Sequence, residues 1–351
     1  MFFTIAGTKE ESAMPDAHDD YRTSDHRTDD AARDDAARND AVRNAADREV
    51  VRALLRIDDP RSIRPGTVRV DPAESADGYS RRRVVLTAPD GHEVPCLFLA
   101  PDAPLPWGAA VVAVHQHNGE FDWGKTEAAG LEGDPEVAYA AELAASGVPV
   151  LAPDLMGFGE RVGAGDPARA EQIDAWARIT RDQTLQGLHV QDVALAVSWL
   201  EDNPDVVGPI GIIGHSLGGQ VALFGLACDD RLTAGVLSCG VGTLSSFQEG
   251  GILHNPAWYV PGLASAGDTP IVARAVRGQR VRVLAGRTDP IFPFAGVREV
   301  VSALPDDTEF VAFDGGHRFP RAHRAEALTW LSRTLRGERG GDGRGTGTPG
   351  N

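Results

Sequence analysis

An α/β fold with a mostly parallel, doubly wound sheet is what this sequence predicts, and three observations predict it. Short continuous apolar runs recur between residues 110 and 313, helix-length segments separate most of them, and a glycine-rich turn follows one run directly. Strands covered on both faces read as unbroken apolar runs, and their alternation with helices makes the sheet parallel. The chain has 351 residues, and α/β folds of about 250 residues commonly form one unit. An apolar content of 42% supports a real core.

Residues 1–47 read as a charged, partly disordered or helical extension. Residues 31–50 run in fives (AARDD, AARND, AVRNA, ADREV), a period that matches neither a helix face nor a coiled-coil heptad. The sharper use of such a segment is an oligomerisation or lid helix, which would make the protein a homo-oligomer through this extension. In ADREVVRALLRI, Val50, Leu54 and Ile57 fall at spacings of four and three, so a helix is expected to dock there. The α/β domain is expected over 48–336. RRRVVLTAPDGHEVPCLFLAP is two β-rich runs around Asp90-Gly91, a hairpin signal. The strands that follow are AVVAV (110–114), VPVLA (148–152), IGII (210–213), AGVL (234–237), VRVLA (281–285) and EFVAF (309–313). DQTLQGLHVQDVALAVSWLEDNP places Leu185, Leu188, Leu195 and Trp199 on one helical face. Segments of about 155–180 and 241–275 leave the sheet and read as cap insertions. The Gly-rich 337–351 reads as a flexible tail.

A net charge of −17 argues against a nucleic-acid surface or an anionic lipid partner. Cys96, Cys228 and Cys239 are odd in number and lack C-x-x-C spacing, which reads as buried thiols rather than a disulfide framework or zinc ribbon. The apolar start, MFFTIAG, is too short for a signal peptide, and no run approaches the roughly 18 apolar residues of a membrane span. A soluble cytoplasmic protein is the expectation.

The run IGII leads straight into GHSLGGQVALFGLA, where Gly214-His215-Ser216-Leu217-Gly218 fits G-x-S-x-G between a strand and a helix. A nucleophile at the tip of so sharp a turn leaves no room for side chains two residues to either side. The helix beyond it offers free N–H groups to a developing oxyanion. Asp289 follows the strand VRVLA, in GRTDPIFP, and His317 follows EFVAF, in DGGHRFP. Ser216, Asp289, His317 is the chain order of the α/β-hydrolase triad, each residue on a loop after a strand. Asp314 is a weaker acid candidate, being only three residues from His317. His323 is expected on the last helix, and His215 reads as a wall of the pocket.

HQHNG, after AVVAV, raises a metal reading through His115 and His117. A zinc site needs further ligands at suitable spacing, and none follows, so no metal and no cofactor are expected. The strand end beside a nucleophile elbow supplies the second oxyanion donor in this architecture. The backbone N–H of His117, or of Gln116, is therefore expected to act with that of Leu217, while the imidazoles line the cleft or hold the loop.

GHSLGG, GRTDPIFP, GGHRFP, the hairpin LTAPDGHEVPCLFLAP and the loop HQHNGEFDWGK together resemble the dienelactone hydrolase-like branch of the α/β-hydrolases, near esterases and acetyl-xylan-esterase-like enzymes. PDLMGFGERVG is similar to the segment after the fourth strand of such proteins, and the resemblance covers about residues 79–336. It implies Ser216 as nucleophile, Asp289 as acid and His317 as base. Dienelactone hydrolase itself uses a cysteine nucleophile, so Ser216 points to a general ester or lactone.

The insertions carry Phe158, Trp176, Phe247, His254, Trp258 and Tyr259, with Trp123 and Phe292 near the catalytic loops. Each could close the cap's own core. Together they favour an apolar or aromatic substrate, with His115, Trp123, Phe158, His215, Trp258 and Phe292 as pocket candidates. Lys125 reads as a surface partner of Glu127 or an anchor for a substrate carboxylate. Arg161 reads as a partner of Glu160 or of a cap acid, or as facing the cleft. The expected activity is serine hydrolysis of an ester, lactone or thioester through an acyl-enzyme. A tailoring enzyme on the same fold (C–C hydrolase, cyclase or acyltransferase) and a non-catalytic ligand-binding protein are the alternatives.

Overall fold

The structure, a computed structural model, describes residues 44–338. The oligomerisation reading of the N-terminal extension and the flexible-tail reading of the C-terminus fall mainly outside the described residues.

Ten strands form one sheet: β1 (Thr67–Val70), β2 (Glu74–Ser75), β3 (Tyr79–Thr87), β4 (Glu93–Pro101), β5 (Ala110–Val114), β6 (Val150–Pro153), β7 (Ile210–His215), β8 (Leu232–Ser238), β9 (Arg280–Gly286) and β10 (Glu309–Phe313). The helices are α1 (44–55), α2 (Lys125–Ala128), α3 (Tyr139–Ala145), α4 (Pro167–Ile179), α5 (Leu185–Glu201), α6 (Leu217–Cys228), α7 (Leu244–Glu249), α8 (Leu263–Ala266), α9 (Thr269–Ala275), α10 (Phe294–Ala303) and α11 (Arg321–Leu335). Strand order is β1-β3-β4-β6-β5-β7-β8-β9-β10, with β2 paired to β3. The pairs from β6 through β10 are parallel, and β1, β3, β4 and β6 run antiparallel to their neighbours in that order.

All six expected strands are present, and the Asp90-Gly91 hairpin joins β3 to β4. Alternate residues of each central strand serve different cores. Val112 and Val114 of β5 join Ile212 of β7 in the layer with α5, α6, α9 and α10. Val111, Ala113 and Ile213 point the other way, toward Tyr139 and Leu143 of α3 and Leu331 of α11. That two-sided cover is why these strands read as continuous apolar runs.

The sheet places the site through its connections. β6 follows β5 on one side while β7 lies on the other, so strand order reverses at β5, and Val114 pairs with Gly214. In open α/β sheets ligands bind outside the carboxyl ends of strands at such a reversal.

Two local expectations are corrected, and one strand was not foreseen. The docked face of α1 is set by Val51 and Leu55, each 1% exposed, whereas Val50 is 39% exposed. A run as apolar as VVRALLRI allows either stripe at helical period, and docking selects one. Ile57 is buried, but past the helix end, where Arg56 takes φ 58°. Helix α5 is not one-faced: 14 of its 17 residues are buried, as expected of a helix packed all round. β1 escaped the sequence reading because all four of its residues are exposed, so no core face marks it as a strand.

Candidate active site

Ser216 sits at the turn from β7 into α6 with φ 55° and ψ −118°, a conformation sparsely populated outside glycine. The turn closes only because its glycines lack side chains. A Cβ on Gly218 would lie 2.0 Å from the Val114 carbonyl oxygen, and one on Gly214 would lie 2.1 Å from the Gly218 carbonyl carbon. Ser216 N–H donates to Ser238 O (2.8 Å), tying the turn to the end of β8. Strain of this kind persists where surrounding structure over-determines it.

Asp289 and His317 come together as predicted. Asp289 Oδ2 lies 2.8 Å from His317 Nδ1, and Asp289 Oδ1 accepts the Ile291 and Phe292 amides at 3.0 and 3.1 Å. A carboxylate only accepts, so Nδ1 carries the proton and Nε2 is left as a base. Phe292 stacks flat on His317 (5.5 Å between centroids, 9° between planes), and the His215 ring lies 5.0 Å from the same imidazole. His215 directly precedes Ser216, so the His317 ring stands beside the serine turn. Burial, with His317 nearby, drives the His215 imidazole well below its ordinary pKa, and its Nδ1 lies 3.0 Å from Ser238 Oγ. It is a neutral wall. Asp314 points into solvent, its side chain 98% exposed, and His323 stacks on Phe313 in α11.

The loop after β5 abuts the elbow, since a Cβ on Gly218 would also lie 2.9 Å from His115 O. Among the described residues the N–H groups of Gln116, His117 and Leu217 donate to no protein acceptor. Both imidazoles of the H-x-H are spent on structure. His115 is 1% exposed; Nδ1 donates to Gln116 O (2.7 Å) and Nε2 accepts the Leu155 N–H (3.0 Å). Burial lowers its pKa to about 4. His117 Nδ1 accepts the Gly119 N–H and its Nε2 donates to Glu171 Oε2, both at 3.1 Å. Tyr139 Oη donates to Val114 O, holding the end of β5.

One trio, Cys239, Asp289 and His317, brings metal-ligand atoms within 4.8 Å of one another. Its donors do not suit a cation: His317 Nδ1 and Asp289 face each other, and burial pushes the Cys239 thiol up to about 12. The three cysteines are buried and free.

The pocket candidates divide. His215 and Phe292 touch His317. His115 and Phe158 do not line a cleft. Phe158, fully buried, stacks on Phe121 and meets His115 edge-on, behind the loop. Trp258 is fully buried against Phe224 of α6, Phe247 and His254, within the core that backs the sheet. Trp123 lies against Gly133 and Glu127 in the turn around α2. Large rings gain more by burial in a small core than by lining a wet cleft.

Both cation readings are corrected too. Lys125 is 4% exposed, and its Nζ lies 2.5 Å from Asp154 and 2.8 Å from Glu160, not against Glu127. Glu127 instead accepts from Gln116 Nε2 (3.0 Å). Arg161 Nη1 donates to Asp192 of α5 (2.6 Å) and to Asp154 O (2.9 Å). Asp154 was missed altogether. It is fully buried and accepts from the Lys125 and Glu160 amides as well, and an acid directly after an apolar run was its only sequence signal. Glu171 had none, being one acid on a charged helix.

A sheet whose order reverses beside a serine turn, with an acid and a histidine on the next strand ends, is the α/β-hydrolase fold. The chain belongs to the alpha/beta hydrolase family, whose model matches residues 111–337. YtaP of Bacillus subtilis (strain 168), a hydrolase by name alone, is 27% identical over 307 residues, which cover 82% of this chain and 98% of YtaP. Acetyl xylan esterase 1 from Thermoanaerobacterium sp. JW/SL YS485 aligns with a TM-score of 0.60 at 17% identity, over 81% of this chain and 92% of that one. The acetyl xylan esterase of Paenibacillus sp. R4 aligns at 0.55 and 15%, over 81% and 92%. At such identities these two structures speak for the fold alone. Among the described residues no helix is long and apolar enough to cross a membrane.

Proposed function

We propose that this hydrolase is a serine esterase in which Ser216 attacks the carbonyl of a carboxylic ester. The observation that carries the reading is the 2.8 Å contact of Asp289 Oδ2 with His317 Nδ1, next to the strained serine turn. His317 Nε2 takes the serine proton, Asp289 holds the ring and stabilises the imidazolium, and the N–H groups of Leu217 and His117 receive the oxyanion. His317 then returns the proton to the leaving alcohol, and water activated by the same nitrogen releases the acyl group. The esterases among the structural neighbours are consistent with this chemistry.

An uncharged, apolar group beside the scissile bond fits the surroundings of His317. Phe292 lies on its ring, and His254 packs on Phe292 (4.7 Å) with its pKa lowered to about 4 by burial, hence neutral near pH 7. The test is Ser216→Ala, assayed with p-nitrophenyl esters of varied acyl length and with a fluorophosphonate probe. Turnover should fall by several orders of magnitude, towards the 10⁶ or so seen when a triad serine is removed, and labelling should vanish. Undiminished turnover in a folded Ser216→Ala protein would end the serine mechanism.

A further inference from the structure

Helix α4 is inside-out. At about 100° per residue, Glu171, Asp174, Ala175 and Arg178 share one side, Ile173 and Trp176 lie on the opposite one, and Ile179 falls at the border between them. The polar side faces in. Glu171 and Ala175 are the only buried residues of its thirteen, while Ile173, Trp176 and Ile179 are 54%, 63% and 42% exposed. Little apolar burial therefore holds α4 to the body, and a cavity of about 210 Å³ lies beneath it, lined in part by Met156, Arg161, Ala170, Glu171 and Leu185.

What α4 does have is one polar contact to the oxyanion loop. The Glu171 side chain is 4% exposed, and its Oε2 accepts from His117 Nε2 at 3.1 Å. Its other oxygen is buried with no protein partner, so the carboxylate is not there to saturate itself. His117 is the hinge of a turn in which Asn118 and Gly119 both take positive φ (49° and 74°), and its other nitrogen accepts the Gly119 N–H. Phe121 and Phe158 hold the ring edge-on, each at 5.0 Å. With both nitrogens engaged and both flanks packed, the position of the ring sets the position of the His117 backbone.

We propose that Glu171 is a positioning residue: through the His117 ring it sets the oxyanion-hole N–H, and so couples the seating of cap helix α4 to the catalytic centre. This rests on the reading of the β5 loop as an oxyanion donor given above. An oxyanion donor must stand within hydrogen-bond reach of an atom that becomes charged only in the transition state, so losing the tether lowers kcat more than it raises KM.

Four proteins test it: Glu171→Ala, Glu171→Gln, His117→Ala and the double variant Glu171→Ala/His117→Ala, each first shown folded by circular dichroism. A misplacement near 1 Å can cost about 10²-fold, so Glu171→Ala should lower kcat by about 10- to 100-fold with KM within about twofold. Glu171→Gln keeps an oxygen that accepts from Nε2 and should recover most of the loss. Because Glu171 acts through His117, the double variant should be no slower than His117→Ala alone. Should Glu171→Ala fail to fold, Glu171→Leu, closer in volume, takes its place in the cycle. Multiplying effects in the double variant, equal damage from Gln and Ala, or a loss confined to KM would each overturn the proposal. Retained activity in Ser216→Ala would instead strike the serine reading beneath it, so the two failures are separable.

Discussion

Helices α6 and α4 are almost equal in length, 12 and 13 residues, and are held in opposite ways. Every residue of α6 is buried, and the candidate nucleophile caps its N-terminus. α4 buries two residues and meets the candidate oxyanion loop after β5 through a single carboxylate. The difference teaches where rigidity is needed. A strained serine has to be over-determined by backbone and close packing, whereas a helix with two buried residues can be seated by one polar contact.

The sharpest way to break the rigid half of that comparison is at the acid. Asp289→Asn leaves a carboxamide that can hold the wrong His317 tautomer and should cost on the order of 10⁴ in kcat. Asp314→Asn, at a side chain 98% exposed, should leave kcat within about twofold. Greater damage from Asp314→Asn would move the acid to that residue.

The candidate oxyanion loop joins the two regions and comes next in size. Proline at 117 removes the N–H that alanine keeps, so His117→Pro should fall a further 10²–10³ or so in kcat below His117→Ala. Circular dichroism must first show it folded, since proline restrains φ. Activity should survive EDTA in the wild type. Collapse under chelator with recovery on zinc would restore the metal reading of His115 and His117, and equal kcat in the folded variants would move the donor to Gln116.

Stability sharpens the contrast directly. Leu223, fully buried in α6, should cost about 2–5 kcal/mol on substitution by alanine. Ile173 on the outer side of α4 should cost less than about 0.5 kcal/mol, and comparable shifts in Tm for the two would contradict the picture of a lightly held cap.

A smaller, pH-dependent effect belongs to the loop. Burial holds His115 at about 4, below the value of about 6.5 in an unfolded chain. Between those values the unfolded state binds the extra proton, so this contribution is fully present above about pH 6.5 and is lost as pH falls toward 4. Protonation would also remove the acceptor used by the Leu155 N–H. Urea unfolding at about pH 7 and about pH 5 should show a larger loss for the wild type than for His115→Gln. Equal losses would take His115 out of that balance.

What lies in order along the chain was readable from it. The six apolar runs, the hairpin at Asp90-Gly91 and the elbow at Gly214–Gly218 depend on local period, turn chemistry and the exclusion of side chains, which neighbouring residues dictate. Ser216, Asp289 and His317 could be picked out because each follows such a run, and the contact of Asp289 with His317 was a consequence of parallel strands ending on one edge. Which of two apolar stripes docks on α1, which aromatic rings fill the core and which touch His317, and whom Lys125, Arg161 and Glu171 pair with were decided only in three dimensions. Those pairings join residues 29 to 54 positions apart, or choose between side chains of equal hydrophobicity, so nothing in their own neighbourhood distinguishes them.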